Sequence, residues 1–515
     1  MTTLQRSRAV LSCALLVLLL VALAAQAPAP PPPAAPLLIR GGQLVDGTGA
    51  PARRADLRTK GDLIVEVGAG LEPRAGEKVI DVAGRIVAPG FIDIHTHATG
   101  GITGDPAAES QIRQGLTTLI GGNCGGSELP ISDFLDSIDE IRTAPNVATL
   151  VGHGTVRSLV MGGDFKRAAT AVEIDTMKAL VDRAMRDGAM GLSSGLEYDP
   201  GRYAKPEEVV ALASVAAAYG GYYASHVRDE EHDVFNAWRE AIEVGRMTGV
   251  PVEISHIKLA VRPMWGRAAE GLKILEDAKR EGIRVMADWY PYTYWHSSIY
   301  VVINDTNLEN RKAWEEGLAD IGGPGNLLVT SYRPDRSLES KTVAEIAQAW
   351  QKDAVTTIIE MIRAAGPGIG VNGTSMDEAD LARFFAHPQV LIGSDGSLGG
   401  VHTRSYNAFP RVLARYVREK GIVTLPEAIA KMTGRTATQI GLDDRGIIAA
   451  GKKADLVIFD PATIEDRGTP QEPKQSAAGI QHVIVNGQLV LEDGKLTGAR
   501  PGRAIRRANW TPYAR

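Results

Sequence analysis

The feature that most constrains the fold is a repeated alternation of short apolar runs and helical patterns in the central part of the chain. Amphipathic helical patterns lie between most of the runs, for example at 171–188 and 232–249. Strands that alternate with helices predict an α/β fold, and eight such strands predict a (β/α)8 barrel of the TIM type. The eight runs are at 86–97, 115–124, 147–154, 188–197, 221–230, 250–258, 283–292 and 389–397.

The two ends of the chain have a different pattern, in which short apolar runs alternate with Gly and Asp turns. Residues 37–88 and 441–500 both show this pattern, and Asn486-Gly487 is a strong signal for a β-hairpin. We expect the two segments to pair into one small β-sandwich domain built from both chain ends. The catalytic barrel is then expected between them, at 89–440.

The regular spacing of the apolar runs is interrupted once, between the seventh and the eighth run. Roughly ninety residues separate these two runs, which is too long for a simple loop. We therefore expect an insertion at about 297–388 that covers part of the barrel mouth. Residues 501–515 follow the sandwich as a C-terminal tail.

The first residues have the pattern of a secretory signal peptide. Two arginines precede an apolar run that ends in the A-x-A pattern Ala25-Gln26-Ala27. Residues 1–27 are therefore predicted to be a signal peptide, followed by a proline-rich tether at 28–36. This predicts an exported protein, periplasmic or secreted, with no membrane contact beyond the leader. The alternative is an anchor formed by an uncleaved leader.

Chemically reactive side chains follow the predicted barrel strands. The C-terminal ends of the strands in such a barrel meet at one mouth, where active sites lie. Imidazole, thiolate and carboxylate groups are the usual ligands of a borderline metal such as zinc. The residues at the strand ends are His95 and His97, Cys124, His226, His256 and Lys258, Asp288 and Tyr290, and Asp395.

Each of these residues also has an ordinary structural explanation when it is considered alone. A single histidine is more often a satisfied polar residue, and a single cysteine is more often a small buried hydrophobe. The joint occurrence of these residues at strand ends is what predicts a metal site. Of the remaining histidines, His153 is a candidate for lining the mouth, and His296 and His402 flank the site as candidates for substrate contact.

Cys124 strengthens the metal prediction. The only other cysteine is Cys13, which lies in the predicted leader. Exported proteins usually pair their cysteines or avoid them, because a free thiol oxidises. Cys124 has no partner once the leader is removed, and we interpret it as a metal ligand.

The charge of the chain argues against a nucleic-acid partner. The formal net charge is −5, and no basic run is present. The sequence carries no signal for an oligomeric state, and the partner that the longer motifs of the chain imply is a small-molecule substrate.

Several longer motifs resemble those of the amidohydrolase superfamily, and more narrowly its D-aminoacylase (N-acyl-D-amino-acid deacylase) branch. The superfamily resemblance rests on "GFIDIHTH" and on the aspartate of "IGSDGS". The branch resemblance runs from about Ile39 to Gly498 and rests on "GNCG", "GLSSGLEYDPGRYA", "ASHVRDE", "EISHIK", "WYPYT" and "HTRSYNAFPRVLARYVRE". It implies a metal-binding barrel with a small β-sandwich, and zinc-dependent hydrolysis of the amide bond of N-acyl-D-amino acids.

The same resemblance implies a role for each site residue. The tightly bound Zn²⁺ would be held by Cys124, His226 and His256. A second, weaker metal position would be formed by His95, His97 and Asp395. Asp395 would also be the general acid/base. The free carboxylate of the substrate would be bound by Lys258, Tyr290 and Arg404, and the guanidinium fork of Arg404 suits that task.

The chain departs from the branch at two places. The family often has an acidic residue soon after the H-x-H pair, and "HTHATGG" has none. The sequence therefore predicts that the second metal position is weak or empty. "YWHSS" has bulky residues where the branch usually has small ones. Two other functions are alternatives: a metal-dependent peptidase or cyclic-amide hydrolase on the same barrel, and a non-catalytic metal-dependent binding protein. The presence of Asp395 argues against the second, because a binding protein needs no such base.

Overall fold

The computed structural model describes residues 35–303 and 305–507. The predicted signal peptide, nearly all of the tether and residues 508–515 of the tail lie outside the described residues. Eight parallel strands form the predicted barrel, which confirms the expected fold class. In chain order they are Phe91–Asp93, Leu116–Gly121, Asn146–Thr149 continued by Val151–Gly152, Gly191–Gly195, Tyr222–His226, Val252–Ile254, Val285–Trp289 and Val390–Ile392.

Neighbouring barrel strands pair in parallel. The exceptions are a break within the third strand and a short contact between the first and eighth strands, where the barrel closes. The third strand breaks at Leu150, so that its first part pairs with the second strand and its last part with the fourth. The barrel closes between the first and eighth strands through backbone hydrogen bonds. The His97 N–H donates to the Gly396 carbonyl and the Asp395 N–H to the His95 carbonyl, both at 2.8 Å. The closure therefore brings two predicted site segments into direct contact.

Helices cover the outside of the barrel strands, as the alternation predicts. The helix Ala171–Arg186 begins with a capping box formed by Thr170 and Glu173, which accounts for its start. Among the described residues, no helix has the length and apolar character needed to cross a membrane. The helices outside the insertion are Glu109–Ile112, Ile131–Ile141, His153–Met161, Ala171–Arg186, Pro206–Ala218, Val234–Thr248, Ala268–Arg280, Glu378–Ala386, Arg404–Arg411, the π-helix Val412–Glu419, Leu425–Met432 and Gly434–Ile440.

The small β-sandwich is built from both chain ends, as expected. Its two halves join where Ile86–Pro89 pairs antiparallel with Leu456–Phe459. Asn486 and Gly487 have positive φ angles of 46° and 77° and form the predicted hairpin turn. One sheet has the order Leu63–Gly68, Asp56–Lys60, Leu37–Arg40 and Lys78–Asp81. The other has the order Lys495–Leu496, Gln488–Glu492, Ile480–Val485, Leu456–Phe459, Ile86–Pro89, Gln43–Leu44 and Arg53–Arg54.

The insertion before the last barrel strand is a compact unit with its own hydrophobic core, in which Trp314 is fully buried. Its boundaries differ from the predicted 297–388. It begins with the strand Tyr294–Ser298 and ends with the strand Gly370–Thr374, whereas the helix Glu378–Ala386 packs into the barrel core. The elements of the insertion are Tyr294–Ser298, Arg311–Asp320, Leu327–Ser331, Val343–Trp350, Ala354–Ala365 and Gly370–Thr374.

The described part of the tail, 501–507, packs along the start of the third barrel strand. The Val147 N–H donates to the Arg503 carbonyl at 3.0 Å, and the Ile505 N–H donates to the Val147 carbonyl at 2.7 Å. The start of a barrel strand lies at the end of the barrel opposite the mouth, so this segment contributes to stability rather than to the site.

Candidate metal centre and active site

The predicted ligands meet at the C-terminal ends of the barrel strands. They form three overlapping groups, and the ligand atoms of each group lie within 4.8 Å of one another. Cys124, His95 and His256 each belong to two of these groups, so these three residues link the groups into one cluster. The groups are His95, His97 and Cys124; Cys124, His226 and His256; and His95, His256 and Asp395.

Three of these residues have an unusual backbone conformation. Cys124, His256 and Asp395 have positive φ angles of 52°, 36° and 51°, which non-glycine residues rarely adopt. Gly195 lets the chain pass close to the first of them, because a Cβ atom there would lie 2.3 Å from the Cys124 carbonyl oxygen. Such strained residues cluster at functional sites, where the surrounding structure enforces them.

A carboxylate contacts the outer ring nitrogen of each of three site histidines, on the side of the ring away from the cluster. A carboxylate on one ring nitrogen keeps the proton there and leaves the other nitrogen with a lone pair for a metal. In each case the nitrogen that faces away from the cluster is the one in contact with the carboxylate. The pairs are His95 Nδ1 with Asp288 at 2.9 Å, His226 Nε2 with Glu197 at 2.7 Å, and His256 Nδ1 with Glu230 at 3.0 Å.

The inner nitrogens of these histidines converge on the Cys124 thiol. Its sulfur lies 3.3 Å from His95 Nε2 and 3.7 Å from His256 Nε2, and the latter lies 2.9 Å from His226 Nδ1. Burial alone would raise the pKa of the thiol, but the charge of His95 and hydrogen bonds from the histidines hold it well below its usual value. A thiolate surrounded by imidazole nitrogens is a donor set that fits a borderline metal ion.

Asp395 lies beside this donor set with both carboxylate oxygens engaged. Oδ1 is 3.1 Å from His97 Nε2, and Oδ2 is 2.6 Å from Arg404 Nη1. Burial alone would raise the pKa of Asp395, but the charge of Arg404 and the hydrogen bond from His97 hold it well below its usual range. The Arg404 contact is not aligned as a hydrogen bond, so Arg404 Nη1 has no hydrogen-bond partner among the described residues.

Three further side chains make the other side of the site suitable for an anion. The Lys258 ammonium donates to Glu230, and this carboxylate outweighs burial and raises the pKa of Lys258. The Arg404 guanidinium lies over the Tyr290 ring, 5.0 Å from its centroid. The buried Tyr290 hydroxyl has no hydrogen-bond partner among the described residues, which is costly unless a ligand supplies one.

The site opens into a cavity of about 640 Å³ between the barrel and the insertion. Trp295 and His296 of the insertion line it, and burial together with the charge of Arg404 lowers the pKa of His296 to about 4. The other two candidate histidines do not line this cavity. His153 is buried with its ring hydrogen-bonded to Glu208. His402 is buried with its ring hydrogen-bonded to the Tyr294 carbonyl oxygen.

Sequence reasoning missed three residues of the site. Glu197 and Glu230 hold the outer nitrogens of histidines, and the Tyr198 ring lies against His226 with ring centroids 4.3 Å apart. A signal for the two glutamates was present, because each ends one of the eight apolar runs. The two glutamates were not recognised as site residues because a glutamate in a loop is ordinarily a solvated surface residue.

The fold and the donor set together define a class of protein: a metal-binding (β/α)8 barrel with a hydrolytic type of site and a sandwich from both chain ends. Residues 78–314 and 336–491 match the Amidohydrolase family. The chain belongs to the amidohydrolase family, which confirms the resemblance drawn from the motifs.

Individual relatives agree with this assignment over nearly the whole chain. D-aminoacylase from Alcaligenes xylosoxydans xylosoxydans is 38% identical over 496 residues, which cover 92% of this chain and 97% of the relative. N-acyl-D-glutamate deacylase from the same organism is 36% identical, covering 92% and 96%. The crystal structure of N-acyl-D-glutamate deacylase from Bordetella bronchiseptica, complexed with zinc and a phosphonate inhibitor, has a TM-score of 0.83 at 34% identity, covering 92% and 100%.

Proposed function

We propose that this chain is a zinc-dependent amidohydrolase that cleaves N-acyl-D-amino acids to a carboxylate and a free amino acid. The observation that carries the proposal is the position of the ionised Asp395 between a thiolate–imidazole donor set and the Arg404 guanidinium. The similarity to D-aminoacylase and N-acyl-D-glutamate deacylase supports the substrate class.

Zinc is the metal that best suits these donors. Cys124, His226 and His256 would hold the tightly bound ion, since thiolate and imidazole are preferred zinc ligands. His95 and His97 with Asp395 would form the second, weaker position. A zinc ion held by Cys124, His226 and His256 would supply Lewis-acid polarisation of the amide carbonyl and would activate water at neutral pH.

Asp395 acts as the general acid/base in this proposal. Its carboxylate is ionised in the free site, so it can accept the proton of the attacking water. The same group then delivers that proton to the leaving nitrogen, which departs as the amine of the free amino acid. His97, at 3.1 Å from Asp395 Oδ1, orients the carboxylate for both transfers.

The substrate carboxylate binds at the cationic side of the cavity. Arg404 offers its guanidinium, of which Nη1 has no hydrogen-bond partner among the described residues, and the Tyr290 hydroxyl gains the partner that it lacks in the free site. Lys258 adds a second positive charge. Fixing the carboxylate in this way would hold the amide bond near Asp395, which lines the same cavity.

The decisive experiment measures release of free amino acid from N-acetyl-D-amino acids, their L-enantiomers, dipeptides and cyclic amides, with zinc content determined on the same sample. We expect zinc-dependent release from the D-compounds. Release from dipeptides or cyclic amides alone would replace the proposal with the alternative hydrolase. No release from any of these substrates by zinc-loaded protein would favour a binding protein.

We also propose that the protein is exported, to the periplasm or the medium, through the leader at 1–27. Cell fractionation with N-terminal sequencing of the purified protein tests this proposal. A mature chain that begins after Ala27 is the expected result. A membrane-bound chain that retains its leader would support the anchored alternative instead.

A further inference from the structure

Glu253 is a buried acid for which the proposed reaction has no use. It lies in the sixth barrel strand between Val252 and Ile254, which both pack into the core shared with the outer helices. Because alternate residues of a strand point to opposite faces, Glu253 points into the barrel interior. It is 1% exposed, and its Oε2 atom has no hydrogen-bond partner among the described residues.

The neighbour of Glu253 in the barrel interior is Asp288, on the seventh strand. Glu253 pairs with Met286 in the strand register, so Asp288, two residues further along, points to the same interior face beside it. The charge of the Asp288 carboxylate acts on the Glu253 carboxyl group and raises its pKa. Asp288 already accepts two other hydrogen bonds, at 2.9 Å each: one from the His95 ring nitrogen Nδ1 and one from the backbone N–H of His256. Asp288 therefore contacts two predicted metal ligands: His95 through its ring, and His256 through its backbone, which has a positive φ angle.

Two carboxyl groups that share a hydrogen bond need one proton between them. The two oxygens of Asp288 accept from N–H groups, so a proton that joins the two carboxyls would belong to Glu253. Burial and the neighbouring charge of Asp288 raise the pKa of Glu253 well above its usual value, which agrees with this assignment. A charged Glu253 would be unpaired in the barrel interior, at a high cost.

We propose that Glu253 is a positioning residue: a neutral carboxylic acid that donates a hydrogen bond to Asp288 and so fixes the orientation of His95 and His256 at the metal centre. The proposal rests on the metal centre proposed above. It differs from the roles of Glu197 and Glu230, which contact histidine rings directly.

The test compares two substitutions of equal size. Glu253→Gln keeps an uncharged hydrogen-bond donor, so zinc affinity should stay within about twofold of the wild type. Glu253→Met removes the donor, and zinc affinity should fall about 10- to 100-fold, as for other residues that support metal ligands. Thr118→Val is the matched control, because the Thr118 hydroxyl on the second barrel strand is also buried and has no partner among the described residues.

Zinc affinity is measured by competition with a chelator on the full chain, so the test needs no substrate and is independent of the proposed reaction. An infrared difference spectrum between wild type and Glu253→Gln at neutral pH should also show the carbonyl band of a protonated carboxylic acid. Equal loss of zinc in the Gln and Met variants, or no loss in either, would overturn the proposal. If the Met variant does not fold, the infrared band decides, and its absence overturns the proposal.

Discussion

Replacing Glu197 by glutamine tests whether an ionised carboxylate behind His226 supports the metal centre. Glu197 Oε2 lies 2.7 Å from His226 Nε2, on the side of the ring that faces away from Cys124. Glutamine has the same length and still offers a carbonyl oxygen to the ring N–H. The substitution therefore removes the charge of the acceptor and keeps the hydrogen bond itself.

The magnitude follows from the difference between these two hydrogen bonds. A hydrogen bond to a charged group contributes about 1.5–3 kcal/mol, and a neutral one about 0.5–1.5 kcal/mol. The loss is therefore about 1–1.5 kcal/mol, and since about 1.4 kcal/mol corresponds to a factor of ten, zinc binding should weaken about tenfold. His226 is buried and the Glu197 side chain is only 16% exposed, so solvent screens this contact weakly and most of the difference should be expressed.

Zinc affinity is measured by competition with a chromophoric chelator, and folding is checked by the thermal transition. Glu140→Gln, on the exposed side of the helix Ile131–Ile141, is the control for loss of one negative charge elsewhere. Unchanged zinc affinity in Glu197→Gln, with the control also unchanged, would show that the charge behind His226 does not support metal binding.

Three other substitutions test the remaining parts of the site. Cys124→Ala should lose bound zinc and activity together, and full zinc content with full rate would exclude the thiol as a ligand. Asp395→Asn should abolish turnover while the zinc held by the other ligands remains in metal analysis; unchanged turnover would remove it from the mechanism. Arg404→Lys should raise KM for N-acetyl-D-amino acids about tenfold or more, because a bidentate contact is lost, and an unchanged KM would contradict carboxylate binding there.

The barrel and the convergence of its candidate metal ligands could be predicted because strand ends meet at one mouth in this fold. Once the eight apolar runs define the strands, residues as distant as His95 and Asp395 must meet at one mouth. The sandwich could be predicted because both chain ends show short apolar runs that alternate with Gly and Asp turns. What the pattern does not encode is detail within an element, such as the break in the third strand at Leu150, where pairing passes from one neighbour to the next.

The limits of the insertion were predicted less well for a physical reason. The helix Glu378–Ala386 is amphipathic, and its apolar face suits either the core of the insertion or that of the barrel. Phe384 and Phe385 pack in the barrel core, a choice that depends on contacts with distant residues. The carboxylates behind the histidines escaped prediction in the same way, because Glu197 and Glu230 acquire their role only when the loops fold over the ring nitrogens.

Glu197 and Glu253 together separate two ways in which a protein can hold a metal ligand. Glu197 touches a ring N–H directly, so its charge strengthens the contact and glutamine is a poor substitute. Glu253 acts on the ligands indirectly, through Asp288. A second negative charge beside Asp288 would be costly, so a neutral hydrogen-bond donor is needed at this position. The same substitution should therefore weaken zinc binding about tenfold at 197 and leave it nearly unchanged at 253. Equal effects at both positions would mean that the barrel interior does not distinguish a charged from a neutral carboxyl group.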